Sequence, residues 1–504
     1  MELFVAALLD ITNYWWTIPV GLCLGIFVGT IPGFSSSNTL IMLLPFTLGM
    51  RPEVGLALMA SIYTGMQLGG GVPAILFNVP GNPGAAATCL DGYAMNQQGK
   101  TNQALVLAIM CSGIAGVLSS AAAVALLPYL RWAAFFFGTI ENFIIILFGV
   151  SLIAQIGGDV PIKGYLAGML GLLIGAIGYD HVFSIPRATF GILYLFDGPP
   201  TIAVLVGLFA ISEVMIMAEK FSIQKHQSLE PVVNDWASTL EGMKILVKNK
   251  WTVIRSSIIG FIIGVIPGAG ASIASWVSYQ QTVALASAEE KATFGKGNPK
   301  GVIAAECGNS AITAGALIPM ITIGIPGGAT TAVMLIVMQS HGVPVGPRLF
   351  QVNPIMAYSV VIVMLLADIL MLLIGLPLTR RLTRITNIPK LILIPCIVSF
   401  VLIGAFVGRR FVFDMGVAVF FGVIGYIMKK TGYPIHCLLL GVILGPLTET
   451  HFLRAIQLGR GDLSIFFRST LGNVLWLLLI ISMFGPGLYE KYKAKRAAKN
   501  NTGA

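Results

Sequence analysis

Small hydroxyl and amide side chains cluster beside prolines and glycines that interrupt long apolar stretches of the sequence. Such side chains are neutral hydrogen-bond donors, which can bind a carboxylate and still release it, whereas a fixed arginine would hold it more tightly. A helix that starts at an interruption also presents free backbone N–H groups and the positive end of its dipole. The candidate substrate-binding residues are Ser35, Ser36, Ser37, Asn38, Asn78, Gly81, Asn82, Gly268, Asn309, Ser310, Gly327, Gly328, Thr330 and Thr331.

Oxygen atoms at a broken helix can also bind sodium, so a second set of residues is a candidate for ion coupling. This set comprises Thr39, Asp91, Glu306 and Thr313. Thr313 lies four residues after Asn309 and therefore shares a helical face with it. The two side chains either contact substrate or a cation, or form hydrogen bonds between helices.

The two carboxylates of this set lie in or beside apolar segments, where burying a charge is costly and marks a functional hypothesis. Asp91 is either a gate or cation-site carboxylate, or a helix cap or turn residue. Glu306 either pairs with a proton, a cation or another part of the protein, or faces water near a helix start.

Several motifs of enzymes are absent from the sequence. The five histidines show neither HExxH nor another metal-binding spacing, and the six cysteines form no CxxC pair. There is no GxxxxGK[ST] phosphate-binding loop and no GxSxG nucleophile elbow. We therefore expect no enzyme, no metal site and no cofactor, apart from sodium as a coupling ion.

The elements that position these residues must be membrane helices. Of 504 residues, 56% are hydrophobic and 10% are charged, and the mean hydropathy is +0.86. A soluble protein carries about 25% charged residues, so an ordinary water-soluble enzyme is excluded. One span needs roughly 20 apolar residues, and the apolar segments predict an all-α polytopic membrane protein with about 12 transmembrane helices, some broken or re-entrant.

The interruptions recur in both halves of the chain. The GxxxGxxPG pattern from Gly25 to Gly33 reappears 235 residues later, from Gly260 to Gly268. Pro73 with Pro80-Gly81 reappears 246 residues later as Pro319 with Pro326-Gly327. Two ordered matches predict an internal duplication into two related repeats. We expect the repeats to be inverted, which requires an odd number of membrane crossings between the halves. Duplicated halves with interrupted helices are typical of secondary transporters whose substrate site lies between the repeats near the middle of the membrane.

Charge and polarity predict the domain boundaries. We expect an N-terminal membrane half over 1–218, a cytoplasmic linker loop over 219–250 and a C-terminal membrane half over 251–490. Residues 491–504 form a basic tail, which contributes half of the net charge of +10. Basic residues beside a span mark the cytoplasmic side, so the carboxyl terminus is expected in the cytoplasm. A nucleic-acid partner would need a folded basic domain, and the sequence has none.

At these motifs the sequence resembles the large membrane subunit of tripartite tricarboxylate transporters, the TctA-type family. The matching stretches are 25–33, 75–100, 294–333 and 342–350, and the resemblance covers essentially the whole chain. It implies an elevator-type fold in the bacterial inner membrane. It also implies two partners, namely a small four-helix membrane subunit and a periplasmic substrate-binding protein.

The resemblance further implies a function. The chain would be the permease subunit of a secondary active transporter, a symport system that imports tri- or dicarboxylates such as citrate with a sodium or proton gradient. The rival interpretations are a stand-alone carboxylate carrier or channel and, from other classes, an intramembrane enzyme or a scaffold. The sequence leaves the oligomeric state open, including a homo-oligomer of the complex.

Overall fold

The structure is a computed structural model that describes residues 2–31, 34–156, 160–180, 182–183, 185–219, 236–267, 270–382 and 390–481. The chain divides into two compact units, each made of two separate stretches of sequence. Unit 1 comprises Met1–Ala134 and Pro200–Ile427, and unit 2 comprises Phe135–Pro199 and Met428–Ala504.

The described residues are almost entirely helical. The helices of the first 200 residues are α1 (Glu2–Ile11), α2 (Thr17–Gly29), α3 (Ser36–Leu48), α4 (Pro52–Phe77), α5 (Thr88–Gln97), α6 (Thr101–Ala134), α7 (Thr139–Ile156) and α8 (Pro161–Gly175). A 3-10 turn over Pro83–Ala85 precedes α5. Two short antiparallel strands, Gly178–Tyr179 and Pro186–Arg187, form a hairpin in unit 2.

The remaining helices follow from residue 201 onwards. They are α9 (Thr201–Val206), α10 (Ser212–Glu219), α11 (Trp236–Lys248), α12 (Lys250–Val265), α13 (Gly270–Leu285), α14 (Ala288–Lys291), α15 (Pro299–Ile323), α16 (Ala329–Ser340), α17 (Pro347–Val352), α18 (Pro354–Leu382), α19 (Lys390–Arg409), α20 (Val412–Thr431), α21 (Ile435–Leu458) and α22 (Thr470–Ile481). A π-helical turn over Gly207–Ile211 joins α9 to α10.

The length and apolar composition of the helices confirm the predicted fold class, a polytopic helical membrane protein. Within the described ranges, six helical stretches are long and apolar enough to cross a bilayer, and they lie in α6, α9–α10, α15, α18, α20 and α21. Seven shorter apolar helices include α2, α3 and α16. The total of about 12 spans stays a prediction, because these shorter helices do not cross a bilayer by length alone.

The first interruption of each half separates two helices, as expected from the proline and glycine. In the first half α2 ends at Gly29 and α3 begins at Ser36, and Pro32 and Gly33 lie outside the described residues. In the second half α12 ends at Val265 and α13 begins at Gly270. Gly268, a candidate anion-binding residue, also lies outside the described residues.

The GxxxG faces pack closely against the long helix that follows each interruption. A Cβ atom built on Gly29 of α2 would lie 2.9 Å from Gly69 Cα of α4. A Cβ atom on Gly264 of α12 would lie 2.9 Å from Gly315 Cα of α15. Glycine is therefore needed at both crossings, because any side chain would push the paired helices apart.

The predicted linker over 219–250 contains a helix that charge alone did not indicate. Helix α11 buries Thr239 and Gly242, and a Cβ atom on Gly242 would lie 3.0 Å from a methyl carbon of Val106 in α6. The polar residues of α11 occupy its other faces, which explains why the segment looked like a loop. Residues 220–235 lie outside the described part of the chain.

The predicted domain boundaries stay predictions. The halves 1–218 and 251–490 each contribute residues to both compact units, so the two units do not test that division. The basic tail over 491–504 lies outside the described residues. Unit 2 is held by α8 against α21, where a Cβ atom on Gly171 would lie 3.0 Å from Gly441 Cα.

Candidate functional site

The second interruption of the first half forms a tight backbone turn at the end of α4, here called tip 1 (residues 78–85). Asn78 ends the helix in the left-handed conformation, with φ of 56°. The N–H of Val79 donates to the Pro73 carbonyl at 3.4 Å, and the N–H of Gly81 donates to the Gly70 carbonyl at 3.0 Å.

The second half repeats this turn at the end of α15, here called tip 2 (residues 324–331). Gly324 takes the left-handed position, with φ of 75°. The N–H of Ile325 donates to the Pro319 carbonyl at 3.3 Å, and the N–H of Gly327 donates to the Ala316 carbonyl at 3.3 Å. Each of these residues lies 246 positions after its counterpart in tip 1, the offset of the sequence match.

The glycines at the two tips pack directly on their own helices. A Cβ atom on Gly81 would lie 2.7 Å from Gly70 Cα, and one on Gly327 would lie 2.5 Å from Ala316 Cα. The N–H groups of both glycines donate hydrogen bonds to helix carbonyls in this conformation. The expected contact of these N–H groups with an anion stays a prediction. The geometry shows that both glycines let the tips fold back onto the helices that precede them.

The side chain of Gln67 on α4 is in contact with tip 1. Asn82 of tip 1 donates through Nδ2 to Gln67 Oε1 at 3.1 Å and to the Met66 carbonyl at 3.2 Å. Its Oδ1 accepts the N–H of Ala85 at 3.0 Å, so the amide is fully engaged. Tip 1 is therefore fixed to α4 through the buried Gln67 side chain.

Residues of the second half also contact the region around Gln67. Asn309 of α15 approaches the Gln67 carbonyl with its Nδ2 at 3.4 Å, and the hydroxyl of Tyr63 on α4 lies beside Gln67 and Thr330 of tip 2. The side chains of Tyr63, Gln67, Asn82, Asn309 and Thr330 thus form one group, here called the tip cluster. It joins residues from both halves of the sequence inside unit 1.

Gln67 and Tyr63 were missed by the sequence analysis. The candidates were polar residues that follow an interruption, whereas these two precede tip 1 by about three to four helical turns. The available signal was two polar side chains, three residues apart at Thr64 and Gln67, in the glycine-rich middle of α4. Their spacing puts both on one helical face.

Several buried oxygen atoms near the tips have no hydrogen-bond partner among the described residues. They are Asn309 Oδ1, Ser310 Oγ and Thr64 Oγ1; in α3, Asn38 Oδ1 is likewise buried without a described partner. Thr64 and Ser310 are 246 residues apart and are thus counterparts in the two halves. A buried polar atom without a partner costs about 1–3 kcal/mol, so each of these atoms is suited to a polar ligand.

The serine-rich run after the first interruption is engaged mostly within its own helix. Ser35 Oγ accepts the N–H of Asn38 at 3.2 Å and lies 3.0 Å from Ser37 Oγ, and Thr39 donates to the Ser35 carbonyl at 3.2 Å. Ser36 is buried. Among the described residues, no hydrogen bond joins this run to the tip cluster. Asn38 instead lines a pocket with Glu213.

The remaining candidates also have local partners. Thr331 caps α16 by accepting the N–H of Gly328 at 2.9 Å, and Thr313 donates to the Ser310 carbonyl at 2.8 Å. Asn78 is exposed at the end of α4. Substrate and ion roles for these residues stay predictions.

Glu306 is buried in α15 and does not face water. Its Oε1 accepts the hydroxyl of Thr88 at 2.6 Å, and its Oε2 accepts the hydroxyl of Ser112 at 3.1 Å. Thr88 is the first residue of α5, directly after tip 1, and Ser112 lies in α6. The carboxyl group therefore links α15 to two elements of the first half.

Asp91 caps a helix, but not its own. Its Oδ1 accepts the N–H groups of Gly297 and Asn298 at 2.9 and 2.8 Å, at the start of α15, and its Oδ2 accepts the hydroxyl of Tyr279 at 2.8 Å. Burial raises the pKa of Asp91 above its usual value, and these hydrogen bonds partly offset the shift. The cap connects residues about 200 positions apart, which local sequence could not indicate.

Comparison with known proteins identifies the family. The family model described as the tripartite tricarboxylate transporter TctA family matches residues 16–440, which include both tips, Asp91 and Glu306.

The chain belongs to the TctA family.

Two relatives of this TctA-family chain come from Agrobacterium vitis. One is described as an uncharacterized 52.8 kDa protein in the TAR-I ttuC' 3' region. It is 32% identical over 463 residues, which cover 92% of this chain and 90% of that protein. The other, an uncharacterized protein in the TAR-II ttuC' 3' region, is 32% identical over 235 residues, covering 46% of this chain and 96% of that protein. No solved structure matches the chain significantly.

Membership in the TctA family makes this chain a multi-pass membrane protein of a tripartite transport system. The expectation of a transporter rather than an enzyme agrees with that family. In this TctA chain the structure brings Asn82, Asn309 and Thr330 together from the predicted site residues. It adds Tyr63 and Gln67 to them, and it places Asp91 in α5 and Glu306 against the first residue of α5.

Proposed function

We propose that the chain is the large permease subunit of a binding-protein-dependent secondary active transporter that imports tri- or dicarboxylates, such as citrate, by symport. Its proposed partners are a small four-helix membrane subunit and a periplasmic substrate-binding protein. The proposed location is the bacterial inner membrane, with the carboxyl terminus in the cytoplasm. Family membership supports the tripartite arrangement.

One observation carries the proposal: two tips with the same backbone hydrogen bonds lie against a single polar cluster. Tip 1 reaches Gln67 through Asn82, and tip 2 reaches Tyr63 through Thr330. Interrupted helices at corresponding positions of two halves mark the substrate site of many secondary transporters. The matching offsets support an internal duplication, which we propose is inverted and moves as an elevator.

The chemistry of the cluster supports an anionic substrate that is bound and then released. Its side chains are neutral amides and hydroxyls, and among the described residues no lysine or arginine hydrogen-bonds to Tyr63, Gln67, Asn82, Asn309 or Thr330. The proposed substrate site comprises the tip cluster with Ser310 and the N-terminal turn of α3. The proposed coupling ion is sodium or a proton, with Thr39, Asp91, Glu306 and Thr313 as candidate ligands.

The experiment that tests this function is uptake of labelled citrate into proteoliposomes that contain the chain, its small partner and the cognate binding protein. Accumulation driven by an ion gradient, and abolished when the binding protein is left out, is the expected result. Uptake that persists without the binding protein would favour a stand-alone carrier. If neither citrate nor any other di- or tricarboxylate enters under any gradient, carboxylate transport is refuted.

A matched pair of variants tests the site. Gln67→Ala removes the side chain that contacts tip 1, so we expect uptake to be lost. Gln103→Ala makes the same change at a partly exposed position of α6, where Nε2 donates to Glu241 at 2.6 Å, so we expect wild-type uptake. Equal uptake by the two variants would remove the tip cluster from the transport site.

A further inference from the structure

Glu306 is a buried acid of α15 that contacts α5, the helix that follows tip 1. It is fully buried, and the hydroxyl of Thr88 donates to it from the first residue of α5. Thr88 lies only six positions after Asn82 of the tip cluster. A change in the charge of this carboxyl group therefore acts on the same short segment that holds Asn82 against Gln67.

No positive charge among the described residues pairs with Glu306. Among the ion pairs of the described residues none includes it. The titratable groups that face it from α5 and α6 are the thiols of Cys89 and Cys111, and Cys307 follows it in α15. Arg255 of α12 lies against Thr282 of α13 instead. A buried carboxylate without a cation costs several kcal/mol, which favours the neutral acid.

The surroundings of the carboxyl group suit a proton better than a metal ion. A Cβ atom on Gly71 of α4 would lie 2.6 Å from Oε1, so that side of the group is closed by backbone. Each oxygen already accepts one hydroxyl, from Thr88 and from Ser112. Within the described ranges, no group of three acidic, histidine or cysteine side chains is arranged to hold a metal.

We propose that Glu306 binds the coupling proton of this transporter, an inference that rests on the proposed function. The carboxylic acid is neutral in the conformation described here, and its own O–H then donates to the hydroxyl oxygen of Thr88 or Ser112, whose hydrogen rotates away. When tip 1 and α5 move and water reaches the group, Glu306 releases the proton to the cytoplasmic side as a carboxylate. It is protonated again from the periplasmic side, so one proton enters in each cycle and no other bond changes.

A second buried acid provides the control. Asp368 of α18 accepts the hydroxyl of Ser120 in α6 at 2.6 Å, and Gly116 packs against its carboxyl group. It is fully buried as Glu306 is, but its described partners lie on α6 and not on either tip. D368N therefore makes the same acid-to-amide change without touching the segment that leaves tip 1.

Infrared spectroscopy of the purified full-length chain tests the protonation directly. At neutral pH we expect a carbonyl stretching band of a protonated carboxylic acid that shifts in deuterium oxide. E306Q should remove the part of this band that comes from Glu306, whereas D368N should leave that part in place. Wild-type and E306Q spectra that coincide in this region would overturn the proposal, whatever the substrate of the transporter is.

Transport measurements test the coupling, with labelled citrate as the probe in proteoliposomes of the complete system. In sodium-free buffer we expect wild-type accumulation under an inward proton gradient and its loss with a protonophore. E306Q should lose accumulation but keep citrate exchange across the membrane, since a permanently neutral side chain mimics the protonated carrier. D368N should retain both activities.

The outcomes separate the two proposals. Wild-type accumulation that requires a sodium gradient and resists the protonophore would overturn proton coupling while leaving carboxylate transport intact. This measurement uses the wild-type protein alone, so it does not depend on whether a variant folds. Accumulation by E306Q that still follows the proton gradient would do the same. Absence of uptake of any carboxylate by the wild type would refute the proposed function instead, and the infrared spectra would then decide the state of Glu306.

Discussion

Replacing one of two adjacent glycines in tip 2 should separate close packing from backbone freedom. In Gly327→Ala the new methyl group would lie 2.5 Å from Ala316 Cα and 2.7 Å from the Ala316 carbonyl oxygen. Both are backbone atoms of α15, so the tip itself must shift. In Gly328→Ala nothing lies within 4 Å of the new methyl group, and the backbone there is extended.

The free energy by which Gly327→Ala destabilises the folded tip is the sum of two contributions. Overpacking costs about 1–3 kcal/mol, and loss of the hydrogen bond from the Gly327 N–H to the Ala316 carbonyl costs about 1 kcal/mol, together about 2–4 kcal/mol. Both variants equally restrict the unfolded chain, so this effect cancels in their difference. Each ~1.4 kcal/mol is a factor of ten, so the folded tip should lose population on the order of 30- to 1,000-fold.

The assay is reversible unfolding of the purified chain in mixed micelles of a mild detergent and dodecyl sulfate, together with citrate uptake. We expect a lower free energy of unfolding and lost uptake for Gly327→Ala, and values close to wild type for Gly328→Ala. Gly81→Ala should behave as Gly327→Ala, since its methyl group would lie 2.7 Å from Gly70 Cα. If Gly327→Ala and Gly328→Ala have the same stability, the packing argument is wrong.

Substitutions at three further places test other parts of the molecule. Asp91→Asn should lower the free energy of unfolding by about 1.5–3 kcal/mol, because it weakens the cap on α15. Tyr279→Phe should lower it by only about 1 kcal/mol. Backbone hydrogen exchange at 297–301 in Asp91→Asn that is no faster than in the wild type would contradict this. Asn38→Ala should lose citrate uptake without losing stability, since its buried Oδ1 has no partner among the described residues; unchanged uptake would exclude it from the site. In unit 2, Arg187→Ala should cost less than about 1 kcal/mol, because the ion pair with Glu449 is partly exposed; a larger loss that salt does not reduce would show a buried role.

The regular pattern of interruptions could be predicted from sequence because proline and glycine act locally. A proline removes a helix hydrogen bond, and a glycine permits the left-handed turn that ends a helix. The Pro73 and Pro319 motifs therefore indicated both tips before any packing was known. The same pattern did not indicate α11, because the charged residues of an amphipathic helix resemble those of a loop.

The residues that meet at the tips could be predicted only in part. Asn82, Asn309 and Thr330 were identified because they are polar and close to an interruption. Gln67 was missed because its importance depends on contacts with Asn82 and Asn309, which lie 15 and 242 residues away in the chain. Nothing in the local sequence of α4 specifies those partners.

The sequence by itself determined that this chain is a helical membrane protein of the TctA family with corresponding interruptions in its two halves. Hydropathy and turn chemistry depend on neighbouring residues, so they can be read along the chain. Only the tertiary structure decided that Thr88 donates to Glu306 across 218 positions, and that Asp91 caps α15. Such contacts arise where helices pack, because burial forces each polar group to find whichever partner the fold brings within reach.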